Sequence, residues 1–288
     1  MSISVLSLHS YPVKSCAGLA HEIAPITAAG MPFDRNWVIV DQHGIFMTQR
    51  RYARMALIQP GLDADCLSLN APGMPAIAIP LRTADPAPSQ VPVRIWSANT
   101  IGYDEGDSVA QWLSQFLNLP CRLLRVHPQA ARIASPKYVD AWLGKHKHWE
   151  PDFPARHQFA FADGFPFLVA NQASLDELNQ QLQEKGQAPV PMNRFRPNIV
   201  VQGLAPFEED YLGGMRIGPL AFAFVKACAR CPIPNIDQAT ALSAAEPGLT
   251  LATHRSFEEG VLFGVNAVVA GPTSPLSTGD CVEPEFDL

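Results

Sequence analysis

Leu220-Ala-Phe-Ala-Phe-Val-Lys-Ala-Cys-Ala-Arg-Cys-Pro-Ile-Pro234 is the stretch from which the rest of the chain is read. Its apolar start, Leu220 to Val225, reads as a buried strand. Pro232 and Pro234 then fix φ and remove backbone donors, so neither a central strand nor a helix interior continues past them. Cys228 and Cys231 therefore sit where a strand gives way to a stiff loop, a place where a rigid scaffold presents reactive groups. Arg230 stands between the thiols, and a neighbouring guanidinium favours thiolate over thiol.

Two thiols three residues apart have few uses. A zinc knuckle needs a second pair of ligands, and Cys16, Cys66, Cys121 and Cys281 are scattered singly. A thioredoxin-like pair expects a helix after its motif, and the prolines argue against one. Two readings stay open at this point. One is a buried core thiol beside an incidental one; the other is a thiolate gripping a soft metal centre.

The 288 residues suggest about two domains. A hydrophobic share of 47% supports an ordinary core, and the net charge of -6 argues against a general nucleic-acid binder. The 27 prolines point to strands joined by stiff loops. The chain opens without a basic leader, and no apolar run is long enough to cross a bilayer. Six cysteines do not make a disulfide framework at this length. These features lead us to expect a soluble, cytoplasmic protein with reduced thiols.

Working outward, Ile3 to Leu8 reads as a strand running into Tyr11-Pro-Val-Lys-Ser-Cys-Ala-Gly18, where a lysine and a hydroxyl suit an anion. Trp37 to Val40 and Ile45 to Thr48 read as strands around Asp41 to Gly44, with Asp34 and Arg35 before them and Arg50 after. Asp34 is expected to ion-pair with Arg35 or Arg50. Short apolar stretches at close spacing follow, predicting a β-barrel or sandwich. Val109, Trp112, Leu113, Phe116 and Leu117 lie at helical spacing. Residues 128 to 158 lack periodicity and read as a domain boundary or mobile connection, with Lys145 to His148 as a solvated basic loop. Ser174 to Glu177 reads as a capping box opening a helix. Arg194, Arg196 and Asn198 stand directly before a buried strand, where a guanidinium fork suits phosphate or carboxylate. Glu208 to Asp210 reads as a solvated face rather than a metal site.

Several stretches together, in one order along the chain, resemble a known family. They are Tyr11-Pro-Val-Lys-Ser-Cys16, Gly30 with Asp34-Arg-Asn-Trp37, Met47-Thr-Gln-Arg50, Phe195-Arg-Pro-Asn-Ile-Val-Val201, Pro206-Phe-Glu-Glu-Asp210, Cys228-Ala-Arg-Cys231 with Asp237 and Thr240, and Phe263-Gly264. The family is that of the MOSC proteins, the molybdenum cofactor sulfurase C-terminal domain family. The resemblance is to the branch with an N-terminal β-barrel domain, which includes the amidoxime-reducing components. It implies an α+β, mostly β fold with a few helices. Residues 1-125 would form an N-terminal β-barrel-like domain, and residues 126-288 a MOSC β-barrel domain.

The resemblance further implies a molybdenum cofactor, Mo-molybdopterin, with the metal on one cysteine thiolate. Cys231 matches that ligand, and Cys228 is its neighbour in the cofactor site. The family's pterin and phosphate contacts carry over to Lys14, Ser15, Arg35, Arg196 and Asn198, with Asp163, Gly164, Phe165 and Ser174 as further lining residues. The implied activity is reduction of small N-oxygenated or N-hydroxylated compounds by oxygen-atom transfer at molybdenum. Some relatives continue into a C-terminal iron–sulfur domain that this chain lacks, so electrons are expected from a separate ferredoxin-, flavoprotein- or cytochrome-type partner. Pyridoxal phosphate binding enters only at family level, through sulfurases that carry an extra domain not seen here. The alternative is a molybdopterin-binding or sulfur-carrier module without reductase activity.

Overall fold

The computed structural model describes residues 2–82, 88–130 and 132–287. Strands dominate, and among the described residues there are four α-helices: α1 (Asp107–Leu117), α2 (Pro136–His146), α3 (Gln172–Glu184) and α4 (Gly248–Arg255). The architecture is α+β and mostly β, as expected.

The largest sheet has nine strands. Across it run Glu283–Phe286, Leu212–Ile217, Leu220–Ala229, Gly260–Ala270, Phe167–Asn171, Ile199–Gln202, Ser4–Ser10 and Leu19–His21, with Ser256–Phe257 paired onto Gly260–Ala270. Only Phe167–Asn171 and Ile199–Gln202 are parallel, and α3 makes the crossover between them. Smaller sheets of four and three strands carry much of the first half. There α1 packs Trp112, Leu113 and Phe116 against Trp37, Ile39 and Leu69.

Strand Leu220–Ala229 shows why its sequence is apolar throughout. Side chains alternate between the faces of a strand. Leu220, Phe222 and Phe224 enter the main core with Phe167 and Val265. Ala221 and Ala223 face the other way, against Val139 and Trp142 of α2. Both faces are covered, so neither set can be polar. The small alanines leave room for the Trp142 ring on their side.

That packing corrects one expectation. Residues 136 to 146 form α2 rather than a mobile connection. His146 is buried, stacks on Trp142 at 4.7 Å and accepts no solvated role. The first strand also departs from simple order along the chain. Ser4–Ser10 pairs with Ile199–Gln202, and Ile23–Ile26 pairs with Ser274–Ser277. Residues 4–26 therefore pair with strands of the C-terminal half, Ser4–Ser10 in the main sheet and Ile23–Ile26 in a separate two-stranded one.

Candidate functional site

The loops at several strand ends converge on a cleft of about 360 Å³. Lys14 and Ser15 follow Ser4–Ser10, and Arg35 precedes Trp37–Asp41. Asp163, Gly164 and Phe165 precede Phe167–Asn171, and Arg196 and Asn198 precede Ile199–Gln202. Cys228 and Cys231 come from the end of Leu220–Ala229. The structure thus brings together every expected site residue but Ser174. Arg50, Trp96, Lys226 and Arg230 also line the cleft without having been singled out as site residues. Arg50, Lys226 and Arg230 had a visible signal, in stretches already noted; Trp96 had none.

Six cationic side chains line this cleft, Lys14, Arg35, Arg50, Arg196, Lys226 and Arg230, against one carboxylate, Asp163. In a chain of net charge -6, that excess is local design for an anion. Lys14 is 5% exposed and donates to Asp163 Oδ1 at 2.7 Å. Burial lowers the Lys14 pKa, and the Asp163 charge works against that loss. Trp96 Nε1 donates to the same oxygen at 2.8 Å, and the Arg50 guanidinium lies 4.4 Å from the Trp96 ring centre. Enclosure by the cleft works to raise the Asp163 pKa, but Lys14 and Trp96 outweigh it and hold the carboxyl below its usual range.

Arg35 and Arg196 share one aromatic neighbour. Each Cζ lies 4.3 Å from the Tyr11 ring centre. Tyr11 is fixed at both ends: its backbone N–H donates to Asp34 Oδ1 at 2.8 Å and its hydroxyl to Pro197 O at 3.0 Å. Burial pushes the Tyr11 pKa up to about 12, against the pull of both guanidinium groups, so the ring stays neutral. Arg35 pairs with Asp34 at 2.5 Å and donates to Asn198 Oδ1 at 3.0 Å. Arg196 donates to Cys16 O at 2.6 Å, and among the described residues no carboxylate pairs with it. Ser15, Arg35, Trp96 and Arg196 all adopt left-handed backbone, with φ of 64°, 49°, 54° and 58°. Four such non-glycine residues around one cleft mark strain held for function.

The two-thiol segment is aimed by irregular pairing. Between Phe224 and Lys226 the ladder against Gly260–Ala270 gains an extra residue, Val225. Between Ala227 and Ala229 the extra residue lies on the partner strand, at Gly264 with φ +73°. A Cβ at Gly264 would meet Val169 O at 2.7 Å, so glycine is required there. Bulges of this kind re-aim strand ends beside active sites. Arg230 then clamps the loop: Nη1 donates to Cys228 Sγ at 3.0 Å, Nη2 to Phe195 O at 2.7 Å, and the backbone N–H to Val261 O at 2.7 Å. Asp237 caps the next turn through Ala239 N and Thr240 N, while Arg194 donates to it at 2.7 Å. Asp237 and Thr240 are therefore scaffold of the loop.

These residues fit a phosphate-bearing, soft-metal cofactor. The cleft volume lies at the lower end of the range for small-molecule sites. The donor set is six cationic side chains and two thiols in one lining, which suits an anionic group with a soft centre. Cys228 and Cys231 are partly exposed, unlike Cys16, whose thiol burial pushes up to about 12. Among the described residues no three His, Cys, Asp or Glu side chains converge as ligands. A metal here would take one thiolate from the chain and its remaining ligands from elsewhere.

Ser174 is a correction twice over. Asn171, not Ser174, caps α3, accepting from Ala173 N at 3.1 Å. Ser174 is fully buried away from the cleft and donates to Glu209 at 2.8 Å. Glu209, in the acidic run expected to be solvated, is itself fully buried and also receives Asn171 Nδ2 at 3.1 Å. Burial pushes the Glu209 pKa up from 4.5 to about 7. The folded state thus favours the protonated carboxyl. Its contribution to stability is fully present below about pH 4.5 and is lost as pH rises through about 7. Urea unfolding followed across that window should show stability falling by up to about 3 kcal/mol. Glu209→Gln should flatten the fall; an unchanged slope would assign it to other groups.

Compared with known proteins, residues 2–120 match the MOSC N-terminal beta barrel domain, and residues 156–283 match the MOSC domain. Mitochondrial amidoxime-reducing component 1 of Mus musculus is 32% identical over 269 residues, covering 91% of this chain and 74% of that protein. Its Homo sapiens counterpart is 32% identical over 294 residues, covering 97% and 82%. Molybdenum cofactor sulfurase of Danio rerio is 30% identical over 280 residues, covering 92% of this chain but 32% of that protein.

Proposed function

Because the chain belongs to the MOSC family, joining a MOSC N-terminal beta barrel domain to a MOSC domain, we propose that it is a molybdenum-cofactor-dependent reductase of N-hydroxylated compounds. The observation that carries this reading is the cleft itself: six cations against one carboxylate, with Cys231 in the same lining. Cys231 would hold molybdenum, since a thiolate is the soft ligand such a metal takes. Arg196, Arg35 and Lys14 would neutralise the phosphate, with Asn198 and Ser15 as polar contacts. When bound, the cofactor supplies a two-electron centre able to take oxygen from an N–O bond.

The remaining chemistry belongs to the chain. Two electrons and two protons convert an N–OH group to N–H and release water. Electrons come from a separate redox protein. The Asp163 side chain is 62% exposed, so the cleft is open to solvent on that side. The fixed cations bind and orient without reorganising, because Tyr11, Asp34 and Asn198 already hold Arg35 in place.

The test is expression in a host that makes the molybdenum cofactor, followed by metal analysis and turnover of benzamidoxime with an artificial reductant. Stoichiometric molybdenum and benzamidine production are expected. Bound cofactor without turnover would favour a carrier module. No molybdenum would overturn the assignment.

A further inference from the structure

Arg230 and Cys231 line a second cavity as well as the cationic cleft. This cavity has a volume of about 180 Å³. Its walls are mainly apolar, from Pro232, Pro234, Pro247, Leu251 and Val261. Three prolines contribute no backbone donor, and Arg230 is the one charged residue in the lining. Such walls suit neither a phosphate nor a pterin edge. An apolar cavity of roughly 150 Å³ admits benzene, so this one has room for a single aromatic ring.

The cavity is also pre-formed. Leu251 is buried in α4, at 2% exposure, and Val261 lies on strand Gly260–Ala270. The prolines stiffen the remaining wall, so little ordering is needed when a ring enters. Asn235 supplies a polar group: its Oδ1 accepts from Gly248 N at 2.8 Å, and among the described residues its Nδ2 has no partner. Arg230 and Cys231 are common to the lining of both spaces, so a ring placed here would lie beside the anion-binding cleft.

We propose that this apolar pocket seats the aromatic ring of an N-hydroxylated substrate whose N–OH group is directed toward Cys231. The proposal rests on the reductase reading and adds the location that selects among substrates. Val261 is the residue to change. Its backbone oxygen holds Arg230 N, and that bond does not depend on the side chain.

The experiment compares molybdenum-loaded wild type with Val261→Phe, using benzamidoxime and the ringless acetamidoxime. The ratio of kcat/KM for benzamidoxime over acetamidoxime should fall roughly tenfold, mainly through KM. A ratio that moves less than roughly twofold in a variant with the wild-type urea midpoint overturns the subsite. Should Val261→Phe fail to fold, Val261→Ala carries the test, and the ratio should fall several-fold from lost contact. If neither amidoxime is reduced, the reductase reading falls, and benzamide judges the pocket separately. Saturation transfer to its ring protons that is lost in the Val261 variant sustains the pocket; transfer that is unchanged removes it.

Discussion

Cys231→Ser should lose its molybdenum, and Cys228→Ser should keep most of it. Both thiols line the same cleft, three residues apart, yet their surroundings differ. Cys228 Sγ already accepts from Arg230 Nη1 at 3.0 Å. That bond ties the sulfur to a clamp whose other arms reach Phe195 O and Val261 O. A serine at 228 still offers Arg230 an acceptor, so the loop should hold its shape. Cys231 makes no hydrogen bond among the described residues, and the prolines that follow it stiffen its position. Its sulfur is the free one. Replacing it by oxygen exchanges a soft, readily ionised ligand for a hard alcohol that is not deprotonated near neutral pH. We expect molybdenum per chain to fall roughly tenfold or more in Cys231→Ser. In Cys228→Ser it should stay above about half of wild type. Metal analysis after gel filtration reads both. Equal loss in the two variants would mean that the metal sees the pair, and that Cys231 is not its single ligand from the chain.

Much of this site was legible because it is built at strand ends. Apolar runs such as Leu220 to Val225 and Ile199 to Val201 announce strands covered on both sides, and the polar residues flanking them have to emerge at an edge. Lys14, Arg35, Arg196 and Asn198 could be placed in this way. Other features are tertiary and leave no local trace. The α2 helix is an exception that did leave a local trace, with Val139, Trp142 and Leu143 at helical spacing and Pro136 in its first turn, but the proline- and charge-bearing residues around it masked that short pattern. Glu209 read as solvated because its partners, Ser174 and Asn171, lie 35 and 38 residues away. A Ser-x-x-Glu spacing matched a capping box, but Asn171 had already capped the helix three residues earlier. Left-handed backbone at Arg35 and Arg196 was equally invisible, since glycine is the usual signal for it. Trp96 is held in the cleft by residues distant in sequence, among them Asp163, which lies 67 residues along the chain.

Arg196→Gly should cost the apoprotein little and the bound cofactor a great deal. The argument turns on what Arg196 does when no anion is present. It is 9% exposed, stacked on Tyr11, and beside Arg35, which shares the same ring. Asp34 is already engaged by Arg35 at 2.5 Å. Burial lowers the Arg196 pKa, and the Arg35 charge adds to that effect, while Tyr11 opposes it. An enclosed guanidinium without its own carboxylate is a liability to the fold until an anion arrives. Its φ of 58° is a second liability, worth about 1–3 kcal/mol in a residue with a Cβ and absent in glycine. Against these stand one hydrogen bond to Cys16 O and the stacking on Tyr11. The terms oppose one another, so the apo urea midpoint should remain close to that of wild type. With cofactor present the balance reverses. Loss of a charge-assisted contact to a buried phosphate costs about 3 kcal/mol, roughly two orders of magnitude in Kd. Arg196→Lys keeps the charge but not the fork and should fall between them. Apo stability and cofactor retention, measured on the same three proteins, separate a binding role from a structural one. A midpoint that drops in step with retention would make Arg196 part of the fold, and the anion-binding account of the cleft would lose a buried cation that no carboxylate pairs among the described residues.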